Sequence, residues 1–125
     1  MTTTLDLYRN VRKNFVAASA HADIIHVRMW DEVGEETTYV WFESLAQAIN
    51  EDMVASVPFE SHADLFEFIA TAALNGKAEL VDCIDVSFVE NLFWDVPKGK
   101  AKRYWTLLPA PLKELYVAFH RKEPI

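Results

Sequence analysis

Three absences narrow the reading of this chain. There is one cysteine, Cys83, in 125 residues, so no intramolecular disulfide can form, as is usual in a reducing compartment. Three glycines and five prolines are too few for a low-complexity chain, and they suit an all-β fold full of tight turns poorly. Long apolar runs are also missing: charge interrupts every apolar stretch well short of the ~20 residues a bilayer-spanning helix needs. The start, Met1-Thr-Thr-Thr-Leu-Asp6, lacks a basic segment followed by an apolar one, so no leader is expected. A soluble, cytoplasmic protein with no membrane contact is the expectation.

The fourth scarcity is positive charge in the middle. Between Asp23 and Asp95 there are sixteen acidic residues against two basic ones, Arg28 and Lys77. The flanks are opposite in sign, so the three regions carry +2, −14 and +5 and sum to the formal −7. Such a centre repels nucleic acid and anionic membrane and attracts basic surfaces. The chain also has ample core material, with 51% hydrophobic residues including four Trp and eight Phe. A domain this long can bury roughly two thirds of its unfolded surface. One domain spanning 1–125, folding without metal or disulfide, is expected.

Hydrophobic periodicity predicts an all-α fold, a compact bundle of five or six helices. Leu5, Tyr8, Val11, Arg12, Phe15 and Val16 recur at helical spacing. Tyr39, Phe42, Leu45, Ala46, Ile49 and Met53 form a second stripe, and Leu65, Phe68, Ile69, Ala72 and Ala73 a third. Ser61 and Asp64 have capping-box spacing, and Asn75-Gly76 reads as a helix end closed by a left-handed glycine. Leu80, Ile84, Phe88 and Leu92 carry another helix up to Pro97. Residues 97–104 read as a basic loop, and a last helix follows near Pro111 with Leu112, Leu115, Tyr116 and Phe119 inward. Residues 24–42 admit two readings. Ile25, Val27 and Met29 alternate like a strand, whereas Ile24, Val27 and Trp30 share a helical face, so this segment is helical or a β-hairpin closed by the 31–38 loop.

No catalytic set stands out. The four histidines, His21, His26, His62 and His120, lack metal-ligand spacing and read as surface residues; no metal or cofactor is expected. Cys83 lies among acids, which raise a thiol pKa, and reads as a buried small residue. Three glycines supply neither a Walker-type nor a Rossmann-type phosphate loop. Glu79, Asp82 and Asp85 repeat every three residues and make a carboxylate ridge on a helix. Lys98, Lys100, Lys102 and Arg103, followed by Tyr104 and Trp105, form the one nucleic-acid-like patch, but four charges do not overcome the acidic centre.

Two segments carry a resemblance. Ile84-Asp-Val-Ser-Phe-Val-Glu-Asn-Leu92 resembles a Val-Ser-Phe-x-Glu-Asn-Leu helix motif in a family of small bacterial all-helical domains of unknown function. Leu108-Pro-Ala-Pro-Leu-Lys-Glu-Leu-Tyr116 is similar to that family's terminal helix. Stretches like 39–49 and 66–74 complete the pattern over 38–120, leaving 1–37 unmatched. Such small acidic domains resemble immunity proteins, which neutralise toxins. The resemblance implies core roles for Phe88 and Leu92 and a bracing role for Glu90 and Asn91.

Charge, size and resemblance together imply a non-catalytic domain binding a basic protein partner, such as a toxin domain. Asp31, Glu32, Glu35, Glu36, Glu79, Asp82 and Asp85 would steer association. Trp41, if exposed, would be the buried anchor of the interface. The rival reading is a small helical enzyme or ligand-binding protein whose pocket is rimmed by carboxylates such as Asp85 or Glu90.

Overall fold

In a computed structural model, residues 3–125 are described, and among them no strand occurs. Seven α-helices follow in order: α1 Thr4–Asn14, α2 Val16–Met29, α3 Thr38–Val54, α4 Ala63–Asn75, α5 Ala78–Cys83, α6 Lys98–Leu107 and α7 Ala110–His120. The expected all-α class holds, with more helices than the five or six read from periodicity. No hairpin forms in 24–42. The strand-like alternation of Ile25, Val27 and Met29 is an accident of a helix apolar on both sides: α2 buries Ala22 and Ile25 while exposing Ile24 and Val27.

Helix α1 starts from a capping box in which Asp6 N–H donates to the Thr3 hydroxyl at 3.0 Å and Thr3 N–H donates to the Asp6 carboxylate at 3.2 Å. It stops one residue before Phe15, whose φ of −127° and ψ of 67° break the helix. Val16, which periodicity placed on the inner stripe, is therefore outside it and exposed. Helix α3 is the central element. It lies along α2 and also touches α1, α6 and the segment after α5. Trp41, Phe42, Leu45 and Ile49 are all fully buried on it.

Helix α5 continues into a wider turn over Ile84–Val89, where Glu90 N–H bonds the Asp85 carbonyl five residues back at 3.0 Å. The widened turn keeps Ile84, Phe88 and Leu92 all inward, as expected for the core positions of the motif. Asn91 Nδ2 donates to the Ser87 carbonyl at 2.8 Å and closes that helix end. Asn50 on α3 holds the following turn from both sides. Its Nδ2 donates to the Asn91 carbonyl, and its Oδ1 accepts from Phe93 N–H, each at 2.8 Å. Phe93 can thus sit at a φ of 69°, which is unfavourable for a bulky residue without such bracing.

Three local expectations are corrected. Helix α4 has His62 at its N-cap, with no side-chain capping bond, so Ser61 and Asp64 form no capping box. Gly76 is not left-handed (φ −80°). It is required because a Cβ there would meet the Ala72 carbonyl at 2.7 Å and the Leu80 side chain at 2.6 Å. The basic loop is helical as α6: Ala101, Tyr104, Trp105 and Leu108 form a buried stripe hidden between the lysines.

Candidate functional site

Glu35 and Glu36 meet Glu79, about forty residues on in sequence, in one cleft. A short helical turn, Glu35–Thr37, leads into α3, and the first turn of α5 carries Glu79. Glu35, Glu36 and Glu79 line one cleft of about 360 Å³ together with Thr4, Leu5 and Tyr39. The Tyr39 hydroxyl donates to the Glu79 carbonyl at 3.1 Å and ties α3 to α5. Burial, followed by nearby negative groups that include Asp82 and Glu79, raises the Tyr39 pKa.

The carboxylates continue along α5. Burial and then the charge of Asp82 push Asp85 above the ordinary carboxylate range. Glu90 is raised by burial first and then by Asp85, with His120 acting the other way. Glu36, Asp82 and Asp85 have no ion-pair partner among the described residues. Glu79 accepts only a 3.4 Å bond from the Thr4 hydroxyl.

The remaining residues singled out from sequence fall elsewhere. Glu35 lines the cleft but is neutralised: Arg9 holds it with two bonds of 2.6 and 3.0 Å, and these lower its pKa. Asp31 and Glu32 are exposed in the loop after α2, outside the cleft. The carbonyl of Glu32 accepts from His26 Nε2 at 3.2 Å. Trp41 is corrected outright: it is fully buried and cannot anchor a partner. Its indole N–H donates to Asp23 Oδ1 at 2.7 Å, and its ring packs edge-on against Tyr8 and Phe42.

The histidines are corrected too. His26 is fully buried and His62 is 7% exposed, so neither is a surface residue. His62 Nε2 meets Asp52 Oδ2 at 2.7 Å; His21 Nδ1 meets Asp52 Oδ1 at 3.4 Å, and its Nε2 meets Glu51 at 3.0 Å. Arg28 closes the chain on Glu51 at 3.1 Å. Residues 21, 28, 51, 52 and 62 carry no local motif, because the chain is assembled by packing α2 along α3 and bringing the start of α4 against them. Cys83 is fully buried, and its thiol is pushed up to about 12, chiefly by burial. That agrees with an inert packing role.

No group of three or more His, Cys, Asp or Glu among the described residues is arranged to hold a metal ion. No helix among them is long and apolar enough to cross a membrane. The fold and its acidic face define a small all-helical domain with an un-neutralised carboxylate ridge. The chain belongs to the family described as Domain of unknown function (DUF7674), whose model matches residues 8–122. That match takes in α2 and most of α1, which the resemblance over 38–120 leaves out. No curated protein and no solved structure matches the chain.

Proposed function

We propose that this chain is a non-catalytic domain that binds a basic protein through its acidic face, acting as an immunity protein that occludes a toxin domain. One observation carries the reading: folding brings Glu36 and Glu79 into one cleft, with Asp82 and Asp85 following along the same helical segment, and leaves all four without cationic partners among the described residues. Other acids are paired within the fold. Arg12, Arg9, Arg28 and Arg103 pair with Asp23, Glu35, Glu51 and Glu60. Carboxylates kept unpaired side by side reduce stability, and a basic partner turns that repulsion into fast, steered association. A toxin that acts on nucleic acid carries the complementary positive surface. The carboxylate-rimmed pocket of the rival reading gains no support at Asp85 or Glu90, which line none of the five clefts described.

The test is protection. A basic protein captured by this chain is expressed alone and together with it. Growth arrest relieved by the wild-type chain, but not by one carrying Glu36→Gln, Glu79→Gln, Asp82→Asn and Asp85→Asn, supports neutralisation. A partner harmless to its host supports an acidic adaptor instead and removes the immunity reading.

A further inference from the structure

The outward side of α2 is apolar where a surface helix is ordinarily polar. Ala17, Ala20, Ile24 and Val27 are exposed there, Ile24 at 64% and Val27 at 59%. Val16 and Trp30, on one flank of the same face, are more than half exposed as well. The inward side of the helix, with Ala22 and Ile25, is already packed in the core along α3. Two sides of one helix are therefore apolar, and only one is covered.

The outward residues are spaced by three, four and three, the a/d alternation with which two helices pack as a coiled coil. Their sizes are asymmetric: alanines fill the N-terminal half and β-branched residues the C-terminal half. In an antiparallel pair each a residue faces a d residue. A two-fold axis midway between Ala20 and Ile24 then sets Ala20 against Ile24 and Ala17 against Val27. Every layer holds one small and one large side chain. A parallel pair would put alanine on alanine at one end and large on large at the other, a wedge that leaves voids.

Charge and area agree with the antiparallel arrangement. Lys13 lies just before α2 and Asp31 just after it, both exposed and without an ion-pair partner among the described residues. The axis lays the Lys13 end of one copy beside the Asp31 end of the other. Charges flanking the seam are met within the chain, Asp23 by Arg12 at 2.6 Å and Arg28 by Glu51 at 3.1 Å, so none is buried unpaired. A stable interface needs about 1,000 Å² in total, or about 500 Å² from each copy, and the six apolar side chains of this face expose area of that order.

We infer that α2 is the seam of a homodimer: a second copy of this chain packs its own α2 antiparallel across Ala17, Ala20, Ile24 and Val27. The face shares no residue with the cleft of Glu36 and Glu79, so the inference stands apart from the proposed binding of a basic protein.

The experiment is sedimentation velocity of the full chain over a concentration series, with circular dichroism on every variant. The wild type is expected to be a dimer at about 100 μM. Ile24→Lys changes an exposed position, so it should stay helical. It should weaken association on the order of a hundredfold, because it leaves an unpaired charge in the seam. Orientation is read by air oxidation. Ala17→Cys with Val27→Cys should link two copies through a disulfide. These positions lie roughly 15 Å apart along one helix, so the link cannot form within a chain. Neither single variant should link, since an antiparallel axis holds each position equally far from its own copy. A wild type that stays monomeric throughout, an Ile24→Lys variant that dimerises like wild type, or Ala17→Cys alone linking as readily as the pair would overturn the inference.

Discussion

Two sets of carboxylates in this molecule are handled in opposite ways. Asp23 and Asp52 are enclosed by donors: Arg12 and Trp41 for the first, His21 and His62 for the second. Glu36, Asp82 and Asp85 have no ion-pair partner among the described residues, although Arg9 reaches Glu35, the residue next to Glu36. The difference teaches that the −14 of the central segment is not one uniform field. The basic flanks fold back onto part of it, through Arg9, Arg12 and Arg103, and leave Glu36, Glu79, Asp82 and Asp85 unpaired near α5 and the start of α3. The enclosed acids hold helices together; the ridge is the surface proposed to meet a basic partner.

Breaking the enclosed set should be expensive. Trp41→Ala removes a fully buried ring and the Asp23 donor together, and is expected to lower unfolding free energy by about 4 kcal/mol in urea titration. Asp23→Ala leaves Arg12 facing Trp41 and Tyr8 without its counter-ion. The pair is partly exposed, so the expected loss is smaller, about 2 kcal/mol by the same measurement.

Acid sharpens the comparison. Burial raises the Asp23 pKa, but hydrogen bonds from Arg12 and Trp41, helped by the charges of Arg12 and His26, outweigh it and leave it lowered. A depressed folded value means the stabilisation is complete above the unfolded carboxylate value of about 4 and is lost as pH falls through the folded one. The stability gap between wild type and Asp23→Asn should therefore be constant near neutrality and close only in that acid window. A gap unchanged down to the acid limit would show that Asp23 acts through shape and not through its charge.

The ridge has the reverse sign. Asp85 is raised by burial and by Asp82, so its ionised form opposes folding at neutral pH and stops doing so below the unfolded value. Asp82→Asn with Asp85→Asn is expected to raise stability by about 0.5 kcal/mol, the usual size of a like-charge helical repulsion. A loss of stability would mean that the ridge is structural after all.

Much of the fold was legible as period. Phe42, Leu45, Ala46, Ile49 and Met53 of α3, Leu65, Ile69 and Ala72 of α4, Leu112 and Tyr116 of α7, and Ile84, Phe88 and Leu92 are buried where spacing placed them; Tyr39 and Phe119, expected inward, are exposed, and Phe66 and Ala70 are more deeply buried on α4 than the expected Phe68 and Ala73. The failures have physical causes. Helix α2 is apolar on both faces, so it shows no single period to read, and its exposed Ile24 and Val27 imitated a strand. In α6 the alternating lysines drew attention from Ala101, Tyr104 and Trp105, which carry the helical period. The ridge Glu79, Asp82, Asp85 was visible because it is local. The meeting of Glu36 with Glu79 has no local signal, and only the packing of α3 on α5 through Tyr39 and Glu79 shows it. Trp41 and His62 were misplaced because their partners, Asp23 and Asp52, are eighteen and ten residues away and on other helices. No local pattern marks such pairs.

The most direct test of the central claim is the association rate of the captured basic partner, followed by stopped flow across a salt series. Wild type is compared with the variant carrying Glu36→Gln, Glu79→Gln, Asp82→Asn and Asp85→Asn. A control removes the same charge from Asp64, Glu67, Glu114 and Glu123. The account predicts that the ridge variant associates about tenfold more slowly at low salt and with a flatter salt dependence, while the control stays close to wild type. Equal slowing by both variants would mean that net charge alone steers the partner, and an unchanged rate for the ridge variant would contradict the acidic face as the binding site.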